Sequence, residues 1–528
     1  MSNMDRSLRQ MPMLILGLSL SIGIGFNHWA LLSNSLYLNL IICTLSINLL
    51  SNYIHNHLSL SIEYWIVLFG FVGAYSHSIQ TQKRDQRIYS ITSDESDYKE
   101  GQVYNISFTQ RYFNIHINLN TGQPQLDFNK TKVLLKTDQS ITQETLKIGD
   151  HISWSGKLIN TCKSSNNNSY YNFLCQKNIP LVGYINPSEL KTATHLSKSP
   201  YRVFKYQIRQ QGMDFIQEHL SENASSIVLA LIFGNKNFID KNVRQNFAKS
   251  GTAHVLAVSG MHVGIITMLL LFLFRRIFYK AHKNSWACIF PTIIGIWIFS
   301  EISGGAAPVK RASMMAIAYL TARLLSLEYS NLNTLGFIGS ILMLTQPSIL
   351  FDLSFQLSFI AVAGIILIYP IIDHSDRYKN KLIRQICSLV QLGIAAQFAI
   401  MPLSLYYFGE LSLLSPITSI WSIALVYLII ILGFTLFVVG VFDQVMLHAL
   451  QESIEITVQL LTESTNIFGQ IPCTTIITKI NSIECVLLLG AALSLTMAFY
   501  NQKKKILLKA SIILYSSQSI YHLQQKFV

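Results

Sequence analysis

The chain has 528 residues, half of them hydrophobic and only 13% charged, where an average soluble domain carries roughly a quarter. Its 40 Lys plus Arg against 27 Asp plus Glu give a formal charge of +13, and it has only seven cysteines. These figures exclude disordered, collagen-like and disulfide-dense secreted classes, which need high charge, a glycine period or abundant cysteine. Composition predicts a mainly α, polytopic membrane helix bundle.

An apolar run needs about 20 residues to cross ~30 Å of hydrocarbon, and about ten candidates occur. Residues 13–32, 36–53 and 60–79 come first. The first run follows Arg6 and Arg9 as a secretory leader would. However, Gly23, Gly25, Asn27 and His28 make no small-residue cleavage site, so it reads as a retained helix. Residues 1–82 are therefore expected to form a three-span membrane region.

Residues 83–200 change character. Short stretches alternating apolar and polar appear at 103–109, 113–119, 132–135, 151–159 and 180–185, with Gly, Asn and Asp between them, as in short β-strands. They predict a small closed sheet, such as an OB-like barrel, inserted between membrane segments. Residues 83–209 carry 17 Lys plus Arg against 10 Asp plus Glu, a basic excess suited to gathering a polyanion. Arg111, Tyr112 and Phe113, and Tyr170 and Tyr171, are candidate stacking surfaces for bases; the same aromatics equally suit a barrel core. Cys162 and Cys175 flank a Ser/Asn-rich loop and are the one cysteine pair in this domain. On an oxidising side of the membrane they are expected to bond. Cys43, Cys288, Cys387, Cys473 and Cys485 lie in or beside apolar runs, where cysteine acts as a small buried hydrophobe.

Residues 201–250 read as an amphipathic connector, with Phe204, Ile208, Phe215 and Ile216 on one face. From 251 to 528 the apolar spans resume, at 254–274, 286–302, 312–327, 332–344, 353–372, 388–406, 417–441 and 483–499, with a short one at 506–515. Residues 443–467 form a further amphipathic pattern. Basic residues favour the cytoplasmic side. With Arg6 and Arg9 inside, the β domain falls outside. Arg275, Arg276, Lys280 and Lys283 then return inside, as do Arg377, Lys379, Lys381 and Arg384. Beyond Arg384 the parity stays open.

No metal, cofactor or catalytic signature stands out. His55 and His57 lack the further acidic residue and histidine of a two-metal hydrolase, and no GxxxxGK[ST] phosphate loop occurs. The most informative run spans residues 229–276. Gly251, His254, Ser259, Gly260, His262 and Gly264 place polar and small residues at the entrance of a span, where polar groups need partners or a cavity. Ser259 and His262, three apart on a helix, can touch.

This run resembles the ComEC family of DNA-uptake channels, whose hallmark motif stands intact from Gly251 to Gly264. Further family motifs follow in order: Gly304, Gly305, Lys310, Arg311 and Ala312; Pro347 with Asp352 and Gln356 in the run 352–359; then Gln397, Pro402, Phe408 with Gly409, and Ser415 with Pro416. The resemblance implies a multi-pass channel of the cytoplasmic membrane that passes single-stranded DNA inward during natural transformation. Its β domain would be extracytoplasmic. The missing phosphate loop means that ATP-driven movement needs a separate cytoplasmic motor ATPase, and a DNA receptor is a further expected partner. Many members carry a C-terminal metallo-β-lactamase-like domain with an HxHxDH motif, absent up to Val528, which implies a separate nuclease. Lys310 and Arg311 would contact phosphates in transit or anchor a helix end. Asp352, Gln356 and Gln397 would line the path or hydrogen-bond across helices. Two other readings stand beside this one: an intramembrane serine hydrolase built on Ser259 and a histidine, and a transporter of another anionic polymer.

Overall fold

The computed structural model describes residues 12–500 other than 31–40, 42–61, 94–98, 109–112, 120–130, 138–149, 164–168, 177–178, 187–189, 194–199, 280–284, 306, 328–329, 440–443 and 472–474. Two helices open it, α1 (Pro12–Ala30) and α2 (Ile62–Ser93). Strands follow: β1 (Lys99–Phe108), β2 (Phe113–Leu119), β3 (Thr131–Thr137), β4 (His151–Trp154) and β5 (Leu158–Asn160). After helix α3 (Ser169–Gln176) come β6 (Leu181–Tyr184) and β7 (Leu190–Ala193). The chain continues through α4 (Pro200–His219), α5 (Glu222–Phe233), α6 (Lys241–Lys249), α7 (Gly260–Ile277), α8 (Trp286–Ile302), α9 (Ala307–Leu324), α10 (Asn331–Thr345), α11 (Leu353–Ile372) and α12 (Lys381–Tyr407). It ends with β8 (Glu410–Ser412), α13 (Ser415–Val439), α14 (Gln444–Gln470), β9 (Thr475–Ile477) and α15 (Ser482–Tyr500). The expected spans at 36–53 and 506–515 fall outside the described residues, apart from residue 41.

Two compact units result, residues 1–212 with 333–352, and residues 213–332 with 353–528. In the first, α1 and α2 pack backbone to backbone. A Cβ at Gly23 would collide with the Gly70 carbonyl, so position 23 admits no side chain. Inside this pair, Asn27 Nδ2 and His77 Nδ1 lie 2.8 Å apart, both side chains buried. Helix α2 runs on well past the expected end at residue 79. Its last turns leave the apolar stretch and insert Ile88 and Ile91 into the core of the sheet, beside Val103, Ile115, Val133 and Trp154.

The sheet has seven strands in the order β5-β6-β3-β2-β1-β4-β7, antiparallel except for β3 and β6. Trp154 and Ile115 are fully buried in it. The expected strand at 151–159 is broken in two at Gly156, whose φ of 149° suits a residue without a Cβ. This break rolls the sheet. Trp154 and Leu158 are four residues apart, a reach of about 14 Å, yet β4 and β5 stand five strand positions apart, about 24 Å across a flat sheet. The rolled sheet differs from the expected closed barrel, since no ladder joins β5 to β7 among the described residues. Both edge strands are only three or four residues long, too short to extend a closing ladder.

The second unit is helical. Its core includes α5, where Ala224 to Phe233 are all buried. Part of the expected amphipathic connector thus lies in the core of this unit. Ser221 caps α5 at its start and Gly234, with φ of 68°, ends it. Ser221 also ties α14 in place: its backbone N–H and hydroxyl both donate to the Glu455 carboxylate at 2.7 Å. Among the described residues, α7, α11, α12 and α13 are long and apolar enough to cross a membrane. Several other expected spans are apolar but shorter, including α8 and α10. Helix α7 begins at Gly260 rather than at the expected residue 254. Residues before it are held in turns.

Candidate functional site

Residues 250–252 make a tight turn between α6 and α7. Gly251 has φ of 77°, and a Cβ there would come within 2.8 Å of Ser412 and Ser415. The close approach is locked by hydrogen bonds. Ser415 Oγ donates to Gly251 O and Thr418 Oγ1 to Ser250 O, each at 2.9 Å. Gln397 Nε2 donates to Ser412 O at 2.6 Å, linking α12 to the same point. His254 stands exposed just beyond the turn.

At the mouth of α7 the two expected partners meet. The Ser259 backbone N–H donates to His262 Nδ1 at 3.2 Å, and Ser259 Oγ lies 3.0 Å from the same nitrogen. Nδ1 therefore acts as the acceptor and the ring proton sits on Nε2. That Nε2 is buried and has no partner. A nucleophile–base pair also needs a group orienting the base, and among the described residues no carboxylate bonds to His262. The contact acts as a helix cap. One turn on, a Cβ at Gly264 would meet nothing within 4 Å, so open space adjoins α7 there.

Lys310 and Arg311 part company. Gly304 and Gly305, with φ of 89° and 62°, turn the chain into α9. Lys310 is exposed, with its stem against Gly305. Arg311 is 6% exposed and points inward. Its guanidinium lies 5.7 Å from the centre of the Phe359 ring on α11, and NH1 touches Met315 Sδ at 4.0 Å. Its Nε has no partner. Gln356 accepts from the Tyr407 hydroxyl at 3.1 Å, a bridge from α11 to α12. Asp352 closes the short 3-10 turn Pro347–Phe351 in the other unit.

In the sheet unit, Cys162 and Cys175 form the expected disulfide, which pins α3 to the end of β5. Tyr170 on α3 is partly exposed, with Lys136 Nζ 4.2 Å from its ring centre; the Tyr184 ring lies 5.5 Å from the same ammonium. Tyr171 instead packs against Leu134, Leu174, Ile179 and Val182. Arg111 and Tyr112 lie outside the described residues. Phe113 begins β2, paired with Thr137. Among the described residues no group of three possible metal ligands occurs; His55 and His57 are not among them.

With this geometry in view, the comparisons are specific. The family described as Competence protein matches residues 231–503. The chain belongs to that family. It is 27% identical over 215 residues to ComE operon protein 3 of Bacillus subtilis (strain 168), covering 40% of this chain and 26% of that protein. It is also 27% identical over 222 residues to Recombination protein 2 of Haemophilus influenzae, covering 40% and 28%. An uncharacterised Aquifex aeolicus protein is 29% identical over 214 residues, covering 39% and 48%. The chain thus matches about a quarter of the length of the first two relatives. No solved structure gives a significant match.

The Competence-family region contains the whole helical site, from Gly251 to Ser422. Within it sequence reading missed one feature. Ser415, Thr418, Ser419 and Ser422 recur at i, i+3, i+4 and i+7 on α13, and the last three are buried. Their spacing alone marks a polar stripe on an apolar helix. Ser412 and Ser313, also buried, had no such periodic signal.

Proposed function

We propose that this Competence-family protein is a channel of the cytoplasmic membrane that carries single-stranded DNA into the cell during natural transformation. One observation carries the reading. Inside an apolar helical unit, His262 Nε2, Arg311 Nε, Ser313 Oγ, Gln397 Oε1, Ser412 Oγ and Ser422 Oγ are buried without a hydrogen-bond partner. Each such group costs about 1–3 kcal/mol unless water or a passing ligand satisfies it. So many unsatisfied groups in one family region fit a path that is wet or occupied when it works. The reading also rests on the family's description, Competence protein, and on a relative named Recombination protein 2.

On this reading the rolled basic sheet is an extracytoplasmic receiver for the strand, and membrane lipid surrounds the helices. A separate cytoplasmic motor ATPase pulls the strand, a receptor delivers DNA, and a separate nuclease degrades the other strand. The protein itself performs no catalysis. The test is uptake of radiolabelled DNA in a deletion strain, with and without the restored gene. Surface-bound DNA that fails to enter without the gene, and enters with it, is the expected result. Normal entry in the deletion strain, or entry of RNA or an acidic polysaccharide in place of DNA, overturns it.

A further inference from the structure

Arg311 is a buried cation in an apolar unit, and nothing among the described residues neutralises it. A guanidinium stays protonated in a protein, and burying one without a counter-charge is among the costliest arrangements a fold can hold. Among the described residues no carboxylate lies within ion-pair distance of it. Its contacts are a thioether sulfur at 4.0 Å and the Phe359 ring, neither of which cancels a full charge.

The surroundings add positive potential rather than remove it. The start of α7 packs against the second turn of α9. A Cβ at Gly260, the first residue of α7, would lie 3.4 Å from Ala312 Cβ and 3.6 Å from Arg311 NH2. Arg311 and Ala312 are the fifth and sixth residues of α9. The N-terminus of α7, equivalent to roughly half a positive charge, therefore lies beside Arg311, about a turn along from the start of α9. Neither helix has an acidic residue in its first turn, and Lys310 adds an exposed charge. The 94% buried guanidinium, with Nε unpartnered, projects over the first turn of α7. Gly260 lets Ala312 and Arg311 approach that turn closely, and Gly264 adjoins open space one turn along.

We infer that Arg311, beside the first turn of α7, forms a phosphodiester-binding station that holds successive backbone phosphates of the strand in transit. The inference rests on the channel reading and deepens it. A planar fork of N–H donors is suited to phosphate oxygens. A single station on one cation holds without trapping, and it reads no base.

The purified full chain in phosphatidylcholine nanodiscs is titrated with a fluorescent 20-mer of thymidylate across a salt series. Arg311→Gln is expected to weaken binding about tenfold and to lower the slope of log affinity against log salt by about one. Arg311→Lys recovers part of the affinity. A 20-mer with a neutral methylphosphonate backbone binds wild type and Arg311→Gln equally. Should Arg311→Gln fail to fold, Gly260→Val keeps the cation and blocks its approach, and the same loss is expected. Unchanged affinity in whichever of these variants folds overturns the inference. So does competition by phosphatidylglycerol vesicles but not by the oligonucleotide, which would assign the station to a lipid headgroup. The two failures are separable. If DNA enters cells and Arg311→Gln binds and transports normally, the station falls and the channel stands. If no DNA enters, yet inorganic pyrophosphate raises the melting temperature of wild type and not of Arg311→Gln, the anion site stands and the channel reading falls.

Discussion

His116 shows how a single residue ties the sheet to pH. It sits on β2 opposite Leu134 and against the Tyr104 ring at 5.7 Å, in a region tight enough to push the Tyr104 hydroxyl up to about 12. Burial, and then the charge on Lys132, lower the imidazole to about 4 from an ordinary 6.5. The folded sheet therefore keeps His116 neutral while the unfolded chain takes up a proton near pH 6.5. The stability this contributes is complete above 6.5 and is lost as pH falls from 6.5 to about 4. Its ceiling is on the order of 3 kcal/mol. Thermal melts of the full chain between pH 7.5 and 4 should show the sheet transition dropping over that window, and His116→Gln should flatten it. Equal slopes for both proteins would remove His116 as the cause. Nothing in the sequence announced this residue, because its environment is made by β1 and β3 and not by its neighbours in the chain.

At the scale of elements, the glycines of α1 and α2 set how closely two helices pass. Gly23 faces the Gly70 backbone, and Gly73 similarly faces Leu20 O. Without a hydrophobic drive between helices in lipid, this backbone contact and the Asn27–His77 bond hold the pair together. Gly23→Val should force the helices apart and destabilise the unit by a few kcal/mol, the cost of overpacking together with an unsatisfied polar pair. A cysteine pair placed at positions 16 and 66 would report the separation, with slower crosslinking expected in the Gly23→Val background. Crosslinking at the wild-type rate would show that the contact is dispensable.

The elements also show what the sequence made legible. Apolar length located most of the membrane-type helices, and period-two alternation located β2, β3 and β6 almost to the residue. The misses have physical causes. A hydropathy window stops α2 at Ile79, while Ile88 and Ile91 continue the helix on the strength of packing into the sheet. Alternation through 151–159 hides the corner at Gly156. Helix α3 carries Tyr171 and Leu174 as a short buried face inside a stretch that reads as loop. At the candidate site, Ser259 with His262 was legible from helical spacing. The burial of Arg311 and the exposure of Lys310 were not, since adjacent residues on a helix point about 100° apart and only tertiary packing decides which one faces inward.

For the whole molecule, membrane topology is the property on which the channel reading depends. Arg275 and Arg276 end α7, and Arg377 precedes α12. Four helices lie between them, so both basic positions fall on one side if all four cross. Helices α11 and α7 meet the length for a span. The 17 residues of α8 and 15 of α10 rise only about 26 and 22 Å at 1.5 Å per residue, against ~30 Å of hydrocarbon. Parity alone cannot distinguish the case in which both short helices cross from the case in which neither does, because an even number remains either way. The turn at Gly304 and Gly305 separates the two. If α8 crosses, that turn lies opposite Arg276, and the Arg311 station opens toward incoming strand. If it does not, the turn is cytoplasmic. Alkaline phosphatase fused after Gly305 is expected to be active. Fused after Arg276 or Lys379 it is expected to be inactive, with green fluorescent protein bright at those two positions. An inactive phosphatase at Gly305 would leave the start of α9 on the opposite side from the start of α7, which a crossing α7 with cytoplasmic Arg276 places outside, and would remove the Arg311 station.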